Sequence, residues 1–146
     1  MDIVDKKTRS RNMSRIRSRD TKPEIFVRKF LHSRGFRYRL NVRKLPGTPD
    51  IVMPKYRLAI MVHGCYWHRH TGCALATIPA TNSERWRAKF EANTSRDKRN
   101  LTKLRNEGWR TLIIWECGLR QRNPDLRWLP EWIKGDEASG EWPEIK

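Results

Sequence analysis

The metal-binding and proton-transferring side chains of this chain are concentrated in one segment, HGCYWHRHTGC, which runs from His63 to Cys73. It contains three of the four histidines and two of the three cysteines, around the aromatic pair Tyr66 and Trp67. Imidazole nitrogens and thiolate sulfurs are ligands that zinc prefers, and an imidazole can also transfer protons near neutral pH. The segment is therefore a candidate metal site, a candidate catalytic site, or both.

A zinc site needs four nitrogen or sulfur ligands, and this segment supplies three of them. Cys65, His70 and Cys73 follow the pattern Cys-x4-His-x2-Cys, and Cys117 completes the set because it follows a second strand-like run. Four protein ligands leave no open position for water, so the predicted Zn²⁺ is structural. The alternative is that the thiols are small buried residues without a metal.

Two histidines, His63 and His68, remain for other chemistry. His63 ends an apolar run, and Asp50 stands where a Pro-rich turn leads into the preceding strand. A carboxylate on a rigid strand can bind a hard cation, and a nearby imidazole can act as a general base. The three residues are a candidate hydrolytic site; in the alternative, both histidines are ordinary core or surface residues.

The charge of the chain indicates a polyanionic partner. Thirty-two Lys and Arg against sixteen Asp and Glu give a net charge of +16, which favours nucleic acid over an anionic membrane. No run approaches the ~18 apolar residues of a membrane-spanning helix, and the N-terminus has no apolar signal core. We expect a soluble, intracellular protein that binds nucleic acid and no membrane.

Aromatic residues near the cluster fit recognition of a distorted duplex. A mispair is a weakly stacked base step, so an aromatic wedge such as Tyr66 and Trp67 unstacks it at less cost than intact duplex. One predicted helix face offers an aromatic, two cations and an amide to base edges or phosphates: Trp86, Lys89, Asn93 and Arg96. In the alternative, Trp86 covers the core and the cations form a solvated face.

A helix and three strands must position Asp50 and His63. Thr21 caps the helix, with Glu24 at the capping-box position and Gly35 beyond its end. The predicted strands are an alternating segment with Phe36, Tyr38 and Leu40, then DIVM from Asp50, then the apolar run Leu58 to Val62, which is typical of a central strand.

Further helices and a strand must carry the remaining residues. One helix is predicted from the capping signal at residues 81–84 through about Asn93, and a second from Ser95 or Arg96 to Glu107. A buried strand from Thr111 to Trp115 and a short helix in the tail follow. This order predicts an α/β fold with a mixed central sheet flanked by helices.

Several segments resemble the very short patch repair endonucleases, DNA mismatch enzymes that nick at T:G mispairs. The segments are RSRNMSRI, RDTKPE, LPGTPDIV, HGCYWHRHTGC, ERWRAKFEANTSRD and GWRTLIIWEC, in this order over about residues 8 to 120. The resemblance implies a restriction-endonuclease-like fold. The run of arginines at the start of the chain predicts a basic arm (1–20) that orders on DNA, followed by an endonuclease domain (21–134) and a C-terminal tail (135–146).

The resemblance implies roles for the catalytic residues. Asp50 would bind the catalytic Mg²⁺ together with the backbone carbonyl of Val62. His68 would be the general base, and His63 would support the scissile phosphate or the metal-bound water. Glu24 matches a helix glutamate near the site, although helix capping alone also explains it.

The resemblance further implies the reaction and its partners. One strand is cut 5′ of the mispaired thymine, which arises from deaminated 5-methylcytosine, and a cytosine-5 DNA methyltransferase is the functional partner. Met13 matches a residue inserted from the opposite groove, and the helix of Trp86 takes part in the wedge. One wedge at an asymmetric mismatch needs no dimer, so we expect a monomer, in the bacterial cytoplasm at the nucleoid.

Two features depart from related patterns. The strand after Asp50 lacks the Asp/Glu-x-Lys pair of the wider nuclease superfamily, and the RHTGC loop is one residue longer than the family pattern.

Two alternative functions stay open from the sequence: a zinc-containing DNA-binding module without catalysis, and a related nuclease with another substrate.

Overall fold

The computed structural model of the protein describes residues 21–143. The predicted basic arm with Met13, and residues 144–146, lie outside the described residues. The predictions for the arm therefore stay predictions.

The described residues form a five-stranded mixed sheet in the order β1-β2-β3-β4-β5. The first three strands pair antiparallel, whereas β3–β4 and β4–β5 are parallel. The strands are β1 (Arg39–Leu40), β2 (Ile51–Met53), β3 (Leu58–His63), β4 (Arg110–Trp115) and β5 (Ser139–Trp142). The predicted α/β fold with a mixed sheet is confirmed.

Helices flank this sheet and carry most of the predicted site residues. They are α1 (Lys22–Ser33), α2 (Cys65–His68), α3 (Ser83–Asn106), α4 (Glu116–Leu119) and α5 (Leu129–Lys134), with a 3-10 turn at Pro54–Tyr56. The predicted cap of α1 is confirmed, since Thr21 Oγ1 accepts a hydrogen bond from the Glu24 backbone N–H at 3.4 Å. Among the helices of residues 21–143, none has the length and apolarity needed to cross a bilayer.

The central strand β3 is buried on both faces, which explains its uninterrupted apolar sequence. Leu58 and Ile60 pack with α1 and α5 residues in the larger core cluster. Ala59 and Met61 point to the opposite face and pack with Leu104 of α3. The prediction of a central strand over Leu58 to Val62 is confirmed.

The two helices predicted between residues 81 and 107 are wrong as separate elements, because α3 runs unbroken over 24 residues. The predicted start of the second helix is Ser95 or Arg96. In the structure the Thr94 hydroxyl donates to the Phe90 carbonyl at 2.8 Å, one turn back in the same helix. A capping residue type therefore continues the helix here instead of starting one.

The sequence analysis predicts only a short helix in the tail, whereas residues 139–142 also form β5 beside β4. This segment is acidic and polar, so nothing in its own pattern predicts a strand; it is ordered by its partner strand. Gly140 makes the close approach possible, because a Cβ there would lie 2.7 Å from the Trp132 ring.

Candidate active site and metal cluster

The parallel strands β3 and β4 end at the same edge of the sheet, with His63 opposite Trp115. Two residues further along each strand stand Cys65 and Cys117, in the first turns of α2 and α4. The backbone N–H of Cys65 donates to Glu116 Oε1 at 3.1 Å, which joins the two turns. The sheet edge therefore brings distant parts of the sequence into one site.

The predicted zinc ligands are brought together. Ligand atoms of Cys65, His70, Cys73 and Cys117 all lie within 4.8 Å of one another. His70 Nδ1 lies 3.6 Å from Cys65 Sγ and 3.4 Å from Cys117 Sγ. Three thiols and one imidazole nitrogen form a donor set that fits a metal ion. Burial raises the pKa of both Cys65 and Cys117, so binding of an ion would release protons from these thiols.

Trp115, Glu141 and Pro143 interact with the imidazole of His70 or with its stacking partner. The His70 ring stacks on the Trp115 indole with centroids 4.3 Å apart, and the indole Nε1 donates to Glu141 Oε1 at 2.6 Å. Burial lowers the pKa of His70, while Glu141 and a hydrogen bond to the Pro143 carbonyl oppose this. The sequence analysis places Trp115 at the end of a strand and in the WEC segment, but it assigns no site role to Trp115 or Glu141.

Asp50 lies in a cavity of about 550 Å³ at the same sheet edge. Its Oδ2 accepts a hydrogen bond from the Val62 backbone N–H at 2.7 Å. Burial raises the pKa of Asp50 to about 8, against the Val62 hydrogen bond and with a contribution from the hydrogen-bonded Glu24 carboxyl. A buried carboxyl with a raised pKa loses its proton when a cation binds beside it or when a base accepts the proton.

Glu24 is buried beside Asp50. Its side chain is 2% exposed, its Oε2 accepts from Arg28 Nη2 at 3.1 Å, and its carboxyl contributes to the raised pKa of Asp50. The sequence offers two explanations for this residue, helix capping and a place near the candidate site. The backbone N–H of Glu24 takes part in the cap, and its side chain lies beside Asp50.

The two remaining histidines stack on each other, with ring centroids 3.9 Å apart and planes at 6°. Burial, followed by the charge of His68, lowers the pKa of His63 to about 3, so His63 is neutral at physiological pH. His63 Nδ1 has no hydrogen-bond partner among residues 21–143. His68 Nδ1 lies 2.7 Å from Asp97 Oδ2, an arrangement that leaves Nε2 of His68 for other chemistry.

Asp97 is the site residue that the sequence analysis missed. It lies on α3, and with His63 and His68 it forms a second group whose ligand atoms are within 4.8 Å. It is a single acidic residue in the basic run SRDKR, one helical turn after Asn93. An isolated carboxylate on a basic helix was the signal available for it.

The predicted wedge residues lie beside this site. Trp67 is 45% exposed, whereas Tyr66 and Trp86 are half-buried. The Trp67 ring lies 6.1 Å from Trp86, and Phe90 of α3 contacts both. We call Tyr66, Trp67, Trp86 and Phe90 the aromatic platform.

The predicted polar contacts of α3 surround this platform. Lys89 Nζ lies 5.0 Å from the Trp67 ring centroid and 5.4 Å from that of Trp86. Asn93 Nδ2 donates to the Trp67 carbonyl at 3.4 Å, and Arg96 is exposed. Trp86 is therefore part of a partly exposed surface, not only a cover of the core.

A second cavity, of about 600 Å³, joins the platform to the candidate catalytic residues. Glu24, His63 and His68 line it together with Tyr66 and Trp67. The two imidazoles and Val62 also line the cavity of Asp50. The stacked histidines therefore border both the aromatic surface and the carboxylate site.

Comparison with known proteins identifies relatives that cut DNA. A family model described as DNA mismatch endonuclease Vsr matches residues 1–74. The chain is 43% identical over 145 residues to the DNA mismatch endonuclease Vsr of Escherichia coli strain K12, which covers 96% of this chain and 92% of that protein. It is 49% identical over 107 residues to the Type II nicking enzyme V.XorIIP of Xanthomonas oryzae pv. oryzae, which covers 73% and 78%. It is 42% identical over 121 residues to the Type II nicking enzyme V.NmeAIP of Neisseria meningitidis, which covers 83% and 86%.

The names of these relatives describe enzymes that cut DNA, so the class that they share is that of DNA endonucleases. The chain belongs to the Vsr family of DNA mismatch endonucleases.

Proposed function

We propose that the protein is a Mg²⁺-dependent endonuclease that nicks one strand of double-stranded DNA on the 5′ side of the mispaired thymine in a T:G mismatch. The products are a 5′-phosphate and a 3′-hydroxyl, and the nick starts very short patch repair. The mispair would arise from deaminated 5-methylcytosine, so a cytosine-5 DNA methyltransferase is the functional partner. Family membership supports nicking of mismatched DNA.

One observation carries this proposal: the stacked pair of His63 and His68 borders both cavities. A base step held by Trp67 would bring its neighbouring phosphate close to these imidazoles and to Asp50. Recognition and hydrolysis would then take place within one segment of the chain.

The proposed proton transfer uses His68. Asp97 holds Nδ1 of His68 at 2.7 Å and so fixes the ring orientation and tautomer. Nε2 of His68 then accepts the proton of the attacking water. His63 stays neutral, because burial lowers its pKa to about 3, and can donate a hydrogen bond to the scissile phosphate.

The carboxylate side of the cavity fits a hard cation. Asp50 and the Val62 carbonyl would hold Mg²⁺, which supplies stabilisation of the negative charge on the phosphate. Glu24 beside Asp50 adds negative charge to this site, and Arg28 offsets part of it. The hydrogen bond from the Val62 N–H to Asp50 orients the carboxylate.

The thiol cluster has a different proposed role. Three thiols and His70 Nδ1 fit Zn²⁺ in a closed, four-ligand, structural site. The site would brace the segment that carries Tyr66 and Trp67 on both sides, because its ligands both precede and follow this pair.

The remaining parts of the proposal concern DNA binding and organisation. Tyr66, Trp67 and Trp86 would enter the mispaired step, with Lys89, Asn93 and Arg96 contacting the surrounding DNA. Met13 would enter from the opposite groove, as part of a basic arm that orders on DNA. We further propose a restriction-endonuclease-like fold, an endonuclease domain over residues 21–134 and a monomeric enzyme.

The test is strand-specific nicking of duplexes labelled on both strands, over a panel of mismatches and flanking sequences, with Mg²⁺ or without added divalent cation. We expect Mg²⁺-dependent cleavage of the thymine strand at T:G, 5′ of the thymine, and intact T:A controls. Equal cleavage of matched and mismatched duplexes, or no cleavage in any sequence context, would contradict the proposal.

A further inference from the structure

Arg69 stands between the catalytic His68 and the cluster residue His70, and its guanidinium is turned to the main chain of its own protein. Nη1 donates to the Tyr66 carbonyl at 3.0 Å and to the Thr77 carbonyl at 2.9 Å. Nη2 donates to the Ala76 carbonyl at 2.9 Å. One side chain therefore joins α2 to the loop that follows Cys73.

The flat face of the same guanidinium covers the aromatic platform. Its central carbon lies 4.0 Å from the Phe90 ring centroid and 5.6 Å from that of Tyr66. Phe90 is 4% exposed, and its ring contacts those of Tyr66, Trp67 and Trp86. Arg69 thus connects three segments: α2, the loop at residues 76–77 and α3.

The backbone at Arg69 is unusual for a residue with a side chain. Its φ is 56° and its ψ 62°, in the left-handed region that favours glycine. A bulky residue persists there when the surrounding contacts compensate. The planar fork of arginine can bind several carbonyls and stack on a ring at once, which the point charge of lysine cannot do.

We propose that Arg69 is a positioning residue for mismatch recognition: by fastening the loop at residues 76–77 and Tyr66 over Phe90, it sets the orientation of the aromatic platform before DNA binds. This rests on the proposed function, in which the platform enters a mispaired base step. Because these donors face internal carbonyls, Arg69 does not add to phosphate binding. Its loss reduces discrimination, not general affinity for DNA.

The test compares Arg69→Gln and Arg69→Lys with Arg122→Gln, which removes the same charge from an exposed position. Single-turnover nicking is measured on T:G and T:A duplexes as a function of enzyme concentration. Binding to matched duplex is measured as a function of salt. We expect Arg69→Gln to lower T:G over T:A selectivity by about 10-fold or more, through the saturating rate, since a small misplacement is costly for catalysis.

Three further results are expected for Arg69→Gln. Its affinity for matched duplex and the slope of log affinity against log salt stay those of the wild type, because no phosphate contact is lost. It retains the wild-type metal content and cooperative unfolding, while tryptophan fluorescence changes through Trp67 and Trp86. Arg69→Lys falls between wild type and Arg69→Gln, and Arg122→Gln keeps wild-type selectivity.

Several outcomes would overturn the inference. A reduced salt slope in Arg69→Gln would make Arg69 a phosphate contact, and loss of metal or of cooperative unfolding in both Arg69 variants would make it a purely structural residue. Unchanged selectivity in Arg69→Gln would remove the positioning role while the wild type still cuts T:G preferentially. If the wild type itself cuts T:G and T:A equally, the proposed function fails instead.

Discussion

The candidate metal cluster takes three of its four side chains from residues 65–73, whereas the candidate catalytic groups come from five separate parts of the fold. Glu24 comes from α1, Asp50 from the residue before β2, His63 from β3, His68 from α2 and Asp97 from α3. The cluster is therefore assembled mostly by local spacing and the cavity by tertiary packing. A change in the fold that leaves the cluster intact can still separate the catalytic groups.

The two regions also differ in how burial affects their charges. In the cluster, burial raises the pKa of Cys65 and Cys117, and both thiols can be ionised by the same ion. In the cavity, burial raises the pKa of Asp50 and lowers that of His63, so an acid and a base are both kept neutral. The cavity thus keeps Asp50 and His63 uncharged in the absence of a bound cation.

The largest expected effect comes from breaking the cluster. Cys117→Ser should lose the bound metal and the cooperative unfolding transition, and with them all detectable nicking, because α4 and α2 are no longer joined through the ion. Metal analysis, thermal unfolding and nicking measure this. A strong chelator should produce the same losses in the wild type. If the variant kept full metal content and wild-type stability, the proposed structural role of the cluster would be wrong.

A substitution in the candidate catalytic cavity should instead abolish nicking and leave metal content and affinity for duplex unchanged. Asp50→Asn should lower the nicking rate by at least about 1000-fold, because the carboxylate that holds the catalytic cation is lost. Its metal content at the thiol cluster and its affinity for duplex should be those of the wild type. Asp125→Asn, which removes an exposed carboxylate, is the matched control. Equal nicking by the Asp50 and Asp125 variants would exclude Asp50 from the reaction.

A smaller loss is expected for Asp97→Asn, which sharpens the comparison by testing a group supplied only by tertiary packing. The amide can still contact His68 but no longer stabilises its protonated form, so the nicking rate should fall by about 100-fold. The profile of rate against pH should change with it, whereas KM should not. An unchanged pH profile would reduce Asp97 to a structural contact.

The last expected effect does not involve catalysis and concerns the stability of the protein without a cation at Asp50. The pKa of Asp50 is about 8 in the folded protein against 3.8 as the ordinary value. Between these pH values only the unfolded chain loses the proton, so the contribution of Asp50 to stability, complete below pH 4, declines up to about pH 8 and is constant above. The decline is at most about 1.4 kcal/mol per pH unit.

Asp50→Asn should remove this decline, so the variant becomes progressively more stable than the wild type as the pH rises from 4 to 8. Urea unfolding of both proteins over this range, in Mg²⁺-free buffer without a chelator and with matched metal content at the thiol cluster, measures the difference. A constant difference between the two proteins across the range would mean that burial of Asp50 does not perturb its ionisation.

The same contrast explains which residues could be predicted from the sequence. Cys65, His70 and Cys73 are close in sequence, and Cys117 follows an apolar strand, so strand pairing alone brings the set together. Asp97 could not be predicted in this way, because it lies 29 positions after His68 and its distance from that residue depends on how α3 packs on α2.

The elements follow a similar rule. Apolar runs such as Leu58 to Val62 predicted β3 and its central place, because burial on both faces leaves a strong pattern. The polar strand β5 has no such pattern, and the hydroxyl of Thr94 is compatible with a helix start as well as with a helix interior. A segment such as β5, whose structure depends on pairing with a neighbouring strand, has no pattern of its own from which the sequence analysis could predict it.

The parallel pairing of β3 with β4 has one more consequence. His63 faces Trp115, and each is followed two positions later by a cysteine of the cluster. Sliding one strand past the other by a single residue would reverse the side on which its side chains point and carry one sulfur away from the other. An ion bound between Cys65 and Cys117 would therefore stabilise only the correct register of β3 and β4 during folding. A chain in which these strands paired in a shifted register would not retain the ion.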